Sequence, residues 1–529
     1  MLRTSLFAAL ALVVLAPAVL AAPTADPAES ERVLERFKEA ARRSIGPRSG
    51  DLFALPNKYN YIIDMDYMAP EQSEIERNGQ VSTISHRGNH HGTVWDYDVR
   101  IPIALYGPGY VERGMVLQVP ATQQDIVPTL AHVLGVVPPE DANGRVLHEA
   151  LKAANKPPKA VLVVVFDQGG STLYEHHPKA APFVTGKWAE GARYVNAMVT
   201  HIDPETVVGH TAIGTGAYPR ETGVVANKPW VRHAGQAAMT IAGTSGATPV
   251  FIESPSLADV WLQATKNQAI VISQSLADRA AIGMVGHGSW YGQNKKPIVN
   301  FFNEKQGAWT TNETFYTQPD YVKAIRPEPF WKAAAGQDGL WRGHRIDDFA
   351  SFKQSPAGAA FDGAAMRAMI EREPVGVDEV PDLVFWSMKS TDYSGHRFGQ
   401  ETLETRDTLT RQDQEVKAVV EALEKRVGKD RLLVVFTADH GGAPLAELHG
   451  GSRIAEHELV STMNQHFDKK ANGVDLVQHV TSTQLYLNDA EMAANGVTLS
   501  DVQGYLKRVH VNGKPFFLEV FTREEIARP

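Results

Sequence analysis

Three apolar runs in this chain each end in a side chain of the kind that binds divalent metal ions. Ala160–Phe166 runs into Asp167. Leu383–Met388 leads to Thr391-Asp392-Tyr393-Ser394-Gly395-His396, which sets a carboxylate and an imidazole four residues apart. Leu432–Phe436 ends in Thr437-Ala438-Asp439-His440-Gly441-Gly442. An Asp after a strand is ordinarily a turn or cap residue. Three such ends, two of them combining Asp with His, point instead to a shared metal site. Mixed Asp/His donors suit zinc, with manganese and iron as the other fits. A hydroxyl nucleophile is offered by Thr206, where Thr206-Val207-Val208-Gly209-His210 reads as a loop entering a helix. Thr is a common N-cap. The same geometry aims helix amides at an anion and sets the hydroxyl beside a metal that can deprotonate it. Asn227, closing Gly223-Val224-Val225-Ala226-Asn227, adds a side-chain amide able to donate to a phosphoryl oxygen.

A sheet has to hold these ends together. Continuous apolar runs bounded by turn residues suit strands covered on both faces, as in parallel sheets. Between the second and third runs, residues 403–427 carry Val416, Val419, Val420 and Leu423 at helical spacing. Strand–helix–strand alternation predicts an α/β fold with a mostly parallel central sheet and helices on both faces. Ligands in such sheets bind at the carboxyl ends of the strands. Upstream, residues 29–44 read as a charged helix, and Leu52–Leu55 and Ile101–Gly107 as short strands. Asp125 is expected to cap a helix that runs to Leu134 and stops at Gly135. Residues 151–159 form a linker around Lys156-Pro157-Pro158-Lys159. The stretch 229–377, rich in Trp, Gly, Asn and Pro, reads as a cap inserted over the site, leaving 160–228 and 378–529 as catalytic core.

The 529 residues contain no cysteine, which excludes disulfide staples, thiol nucleophiles and Cys-ligated metals. The net charge of −9 argues against nucleic acid as a stable partner, because phosphate backbones are held by excess Lys and Arg. Residues 1–22 read as a secretory signal peptide: Arg3, an apolar run from Leu6 to Leu20, then small residues at Ala21 and Ala22. That run is too short for a membrane span, and no later stretch is long and apolar enough. The expected location is periplasmic or secreted.

Taken together, Phe166-Asp167, Thr206 to His210, Gly223 to Asn227, Ser390 to His396 and Asp439-His440-Gly441 resemble the alkaline phosphatase superfamily. The likeness is to its phosphodiesterase/nucleotide pyrophosphatase type and the related threonine-nucleophile alkaline phosphatases. The resemblance implies a two-zinc site. Asp167, Thr206, Asp439 and His440 would gather around one ion, and Asp392 and His396 around the other with one further His. In the family that His lies downstream of the Asp-His-Gly segment, in a His-Gly-Ser/Thr motif. Here the motif stands near the N-terminus, as His90-His91-Gly92-Thr93, followed by the strand at 101 and the helix at 125. The order implies a circular permutation in which residues 30–150 are the family's C-terminal portion. His91 is the expected ligand, with His90 as the fallback. Chain ends in compact domains often lie close together, so the two ends should adjoin.

The resemblance further implies phosphoryl transfer to Thr206, with Asn227 and the Thr206 amide holding a non-bridging oxygen and a phosphothreonine as intermediate. The cap of the threonine phosphatases carries a Lys-x-Arg pair. Arg279 is present here, but Ala277 stands where the Lys would be. The expected substrate is a small-molecule phosphate monoester. A phosphodiesterase or nucleotide pyrophosphatase with the same site is the alternative, and a non-catalytic metal- or phosphate-binding protein is a third reading.

Overall fold

The computed structural model describes residues 26–63, 70–241, 243, 246–288, 296–470 and 472–528; the leader segment expected at 1–22 lies outside the described residues. Helix α1 (Pro27–Arg42) opens with the Asp26 carboxylate accepting from the Ala28 amide, and it buries Val33, Phe37, Ala40 and Ala41. Strand β1 (Leu52–Pro56) follows, wholly buried.

A central sheet is built from β2 (Ile103–Tyr106), β3 (Met115–Leu117), β4 (Ala160–Phe166), β5 (Ala192–Tyr194), β6 (Val271–Ser275), β7 (Ile298–Asn303), β8 (Ala308–Thr310), β9 (Asp382–Met388) and β10 (Leu432–Thr437). Their spatial order is β8-β7-β6-β9-β4-β10-β2-β5-β3. The five strands from β7 to β10 are mutually parallel, and β8 and β2 join them antiparallel on the two sides. Every residue of β4, β9 and β10 is buried. Alternate residues explain why: Val161, Val163 and Val165 enter one apolar core, and Leu162, Val164 and Phe166 enter another on the opposite face. Register then fixes the site, because Met388 pairs with Phe166 and Thr437 with Val165. The residues that follow all three strands therefore emerge together at one edge.

Helix α2 (Ile126–Leu134) ends at Gly135, whose φ of 70° is the left-handed conformation glycine favours. Asp125 does not cap it. Its carboxylate accepts from the Thr122 and Arg145 amides instead, closing the preceding turn. Helices α3 (Thr206–Thr215) and α4 (Asp278–Val285) pack together over one face of the sheet, and α5 (Pro356–Arg372), α6 (Ser390–Phe398) and α7 (Leu403–Val427) lie on the other. The stretch 229–377 is more than a cap: β6, β7, β8, α4 and α5 belong to the central sheet and its cover. The polar residues that disguised β6 have tertiary partners. Ser273 Oγ donates to the Ala281 carbonyl, and Gln274 Nε2 donates to Asp362.

A second, antiparallel sheet contains β11 (Val477–Val480), β12 (Gln484–Leu487) and β13 (Phe517–Thr522) in the order β11-β12-β1-β13. The N-terminal β1 thus lies between two strands from the end of the chain. Arg42 adds donations to the Ile526 and Arg528 carbonyls, both at 2.9 Å. Among the described residues no helix is long and apolar enough to cross a membrane.

Candidate active site

Asp167 follows β4, Asp392 and His396 lie one turn apart on α6, and Asp439 and His440 follow β10. His91 arrives on a loop pinned to these ends. Asn89 donates its amide to the His396 carbonyl and its side chain to the Ala443 carbonyl, and Ala443 donates back to His90 O. Gly88, at φ 70°, passes so close to the His396 carbonyl that a Cβ has no room. Below it, Thr93 donates through its amide (2.8 Å) and hydroxyl (2.5 Å) to buried Asp98, whose pKa burial pushes up to about 7 despite those donors.

The donor atoms form two sets. His91 Nε2 lies 3.5 Å and His396 Nε2 3.2 Å from Asp392 Oδ1. His440 Nε2 lies 3.2 Å from Asp439 Oδ2 and 3.7 Å from Asp167 Oδ1. Mutual distance also groups His91 and Asp392 with His440, whose ring stacks on His91 at 3.7 Å, so the sets adjoin. We assign His396 to the first set because its Nε2 is directed at the same Asp392 oxygen. Each imidazole presents Nε2 inward for one reason: Nδ1–H of His91, His396 and His440 donates to the carbonyl of Pro204, Asn89 and Gly441 respectively. That leaves the Nε2 lone pair for a cation. Nδ1 of His90 instead meets the His91 carbonyl, and its ring stays 5.3 Å from that of His396.

Three buried atoms here, Asp167 Oδ2, Asp439 Oδ2 and His440 Nε2, have no hydrogen-bond partner. Native interiors seldom leave such atoms unmatched without an ion or water to meet them. Aspartate oxygens and imidazole nitrogens about 3–4 Å apart are donors of the kind that divalent zinc takes. The residues form candidate groups for a divalent metal.

Charge follows the same layout. Burial and the neighbouring His440 push His91 well down, which keeps it neutral. Burial and Asp439 raise Asp167. Burial opposes ionisation of Asp392 and Asp439 too, but Lys389 and His396 outweigh it for the first and His440 and His210 for the second. Both end well below the usual carboxylate range.

Thr206 is the first residue of α3 and is buried. His210, a turn later, donates Nδ1–H to the Thr206 carbonyl (2.7 Å) and meets Ser387 Oγ through Nε2 (2.8 Å), fastening the helix start to β9. Asn227 Oδ1 accepts from the Val207 amide at 3.0 Å, which leaves its NH2 as the donor toward the cleft. Thr206, Asn227, His91, His396 and Arg279 line one cleft of about 260 Å³, whose far wall includes His479 and Glu456. A larger cleft of about 660 Å³ beside the hairpin at 71–86 contains none of the ligand residues, so size does not locate the chemistry.

Three supports escape the sequence reading. Lys389 is wholly buried and holds its Nζ 2.9 Å from Asp167 Oδ1, 2.8 Å from Thr206 Oγ1 and 2.5 Å from Asp392 Oδ2. Burial works against its charge, but the two carboxylates outweigh it and raise its pKa. Glu205, beside the nucleophile position, accepts from the Asn227 amide; burial and Asp203 push it up to about 8. Gln123 Nε2 donates to the Ala438 and Asp439 carbonyls, bracing the ligand turn after β10. The signal for Lys389 was its place, one residue past a buried strand and three before a candidate ligand.

The sequence profile of the type I phosphodiesterase / nucleotide pyrophosphatase family matches residues 161–528. Alkaline phosphatase PafA of Elizabethkingia meningoseptica is 24% identical over 418 residues, covering 70% of this chain and 76% of its own. Alkaline phosphatase PhoK of a Sphingomonas species is 28% identical over 332 residues, covering 57% and 58%. The crystal structure of wild-type PafA superposes with a TM-score of 0.52 at 20% identity, covering 67% of this chain and 77% of that one, a likeness of fold. By its sequence the chain belongs to the type I phosphodiesterase / nucleotide pyrophosphatase family of phosphoric ester hydrolases, within the alkaline phosphatase superfamily.

Proposed function

We propose that this protein is an exported phosphatase that hydrolyses small-molecule phosphate monoesters through a phosphothreonine at Thr206. The observation that carries the reading is a buried threonine hydroxyl at a helix start that lines one cleft with His91 and His396 of the first Asp/His donor set, and is tied through Lys389 to Asp167 of the second. Asp167, Thr206, Asp439 and His440 would hold one divalent ion and Asp392, His396 and His91 the other, zinc by donor type. Bound there, such a pair neutralises charge on the attacking and leaving oxygens of an in-line displacement.

The chain's own residues supply the rest. Thr206 Oγ attacks phosphorus and the bond to the leaving oxygen breaks, which leaves the phosphoryl group on Thr206. The Thr206 amide at the start of α3 and the Asn227 NH2 bind a non-bridging oxygen, using the positive end of the helix. Arg279 lines the same cleft, as Lys228 does, and suits a phosphoryl group by its forked donors. Water then cleaves the phosphothreonine and restores the hydroxyl. A permuted chain order is supported by the family match starting at 161 and by the contacts of α1 and β1 with the end of the chain. Export rests on the character of residues 1–22.

Thr206→Ala tests the assignment. Turnover of 4-nitrophenyl phosphate should fall by about 10³-fold or more while zinc content is unchanged; activity close to wild type refutes the nucleophile. Ala277, where a second cation would favour a dianion, supports diester hydrolysis as the second reading. The ratio of kcat/KM on 4-nitrophenyl phosphate and bis(4-nitrophenyl) phosphate separates the two, and a ratio favouring the diester overturns the monoester assignment.

A further inference from the structure

Lys389 ends the turn between β9 and α6, and all three of its ammonium donors are used. They go to Asp167 Oδ1 after β4, Thr206 Oγ1 at the start of α3, and Asp392 Oδ2 on α6. These contacts are unevenly shared between the two donor sets. Asp167 and Thr206 both belong to the nucleophile-side set. In the other set the lysine touches only Asp392 Oδ2, while the oxygen that faces His91 and His396 is Oδ1. An ion settling on the nucleophile side must take Thr206 Oγ1 from the ammonium and sit on an Asp167 carboxylate whose Oδ1 the ammonium also holds, even where it uses the unpartnered Oδ2. An ion settling among Asp392 Oδ1, His91 and His396 displaces none of them.

Charge sharpens the asymmetry. In a buried setting an ammonium and a divalent cation sharing the same oxygens repel each other strongly, and neither is screened by water. Around the lysine, Arg279 adds a further positive charge to its field, and the Tyr393 ring lies 5.4 Å from its ammonium.

We propose that Lys389 is an internal cation that competes with the nucleophile-side metal, so that the two positions load unequally, with the Asp392–His396–His91 position filled first. The inference rests on the two-metal reading above. It makes the lysine a determinant of metal occupancy on the atom that attacks phosphorus, and gives a physical reason for a buried ammonium in a cluster of metal-ligand types.

The test is a zinc titration of metal-stripped protein by calorimetry, with ion content after dialysis read by atomic emission. Wild type should bind one ion tightly and a second at least about tenfold more weakly, the scale of losing a charged hydrogen bond. In Lys389→Met, which keeps most of the length of the side chain without its charge, the weak position should tighten by about tenfold or more and the strong one change by less than about threefold. Two equal positions in wild type, or an unchanged weak position in the variant, overturns the lysine's role and leaves the two-metal reading standing. No zinc uptake by either protein overturns both. Should the variant fail to fold, wild-type crystals soaked with a single equivalent of zinc decide the matter by anomalous scattering. The ion should lie at Asp392, His396 and His91, and an ion found first between Asp167 and Thr206 refutes the inference.

Discussion

Helix α3, which carries the proposed nucleophile Thr206, approaches the candidate-ligand turn after β10 because Gly209 has no Cβ, and adding one carbon there should damage both fold and site. A Cβ on Gly209 would lie 2.5 Å from the Asp439 carbonyl oxygen and 2.8 Å from the Asp439 Cβ. Ordinary contact is about 3.5 Å, so helix and turn must separate by about 1 Å. Neither neighbour is the free end of a flexible side chain. Helix propensity alone makes the opposite forecast, since Ala is better than Gly by about 1 kcal/mol. Overpacking costs about 1–3 kcal/mol, and we expect it to win and lower the stability of Gly209→Ala. Because the displaced residue is a candidate ligand and the displaced helix holds Thr206, turnover should fall by about 10²-fold, the usual cost of a misplacement on this scale. The assays are urea unfolding and hydrolysis of 4-nitrophenyl phosphate. Gly186→Ala is the internal control: its helix spans Pro182–Glu190 and a Cβ there has nothing within 4 Å, so it should stabilise by about 0.5–1 kcal/mol. A Gly209→Ala protein as stable and active as wild type would refute the close-approach argument.

Asp362, buried between Gln274 Nε2 and Trp386 Nε1, is pushed up to about 7 by burial. Its unfolded value is lower, so the folded state binds more protons between the two. The stability it contributes is present in acid and lost as pH rises through about 7. Relative to wild type, Asp362→Asn should therefore gain up to about 4 kcal/mol between pH 4 and pH 8, and a difference in urea-unfolding free energy that does not move with pH contradicts this. Gln123→Ala strands the Ala438 and Asp439 carbonyls and should lose about 1–3 kcal/mol together with zinc affinity. Gln123→Ala that retains wild-type zinc affinity would show the brace to be dispensable.

What could be read from the sequence follows from how burial shows itself. β4, β9 and β10 are covered on both faces, so every position is apolar and the runs stand out without any knowledge of tertiary structure. β6 and β7 also belong to the parallel part of the sheet but carry Ser273, Gln274 and Asn300, whose partners lie on other elements: Ala281 on α4 for Ser273, and Asp362 and Met369 on α5 for the other two. No local pattern reveals that such polar residues are satisfied, so those strands were assigned to the cap. Lys389 was hidden for the same reason. A lysine in a sequence reads as a solvated charge, and only contacts 222 and 183 residues away make it a buried one. Asp125 looked like a cap because residue type and position agreed, but its carboxylate is drawn to the Thr122 and Arg145 amides.

His91 is the instructive case. Three histidines lie within six residues at 86–91, and only His91 is followed directly by Gly-Thr. The structure ranks them by backbone carbonyls and nearby groups. Pro204 O takes Nδ1–H of His91 and turns its Nε2 toward Asp392, whereas His86 is bound by Ser73 Oγ and the Gly88 amide. A ligand's identity in this site is therefore decided by where its second ring nitrogen finds an acceptor. That acceptor sits on the loop just before the nucleophile, 113 residues away. On the proposed permutation, chain order would vary while the site does not, because the His91 loop is held at the carbonyls of Pro204, His396 and Ala443, all distant in sequence. Any connection that delivers the loop to the same carbonyls delivers the same imidazole nitrogen to the same aspartate.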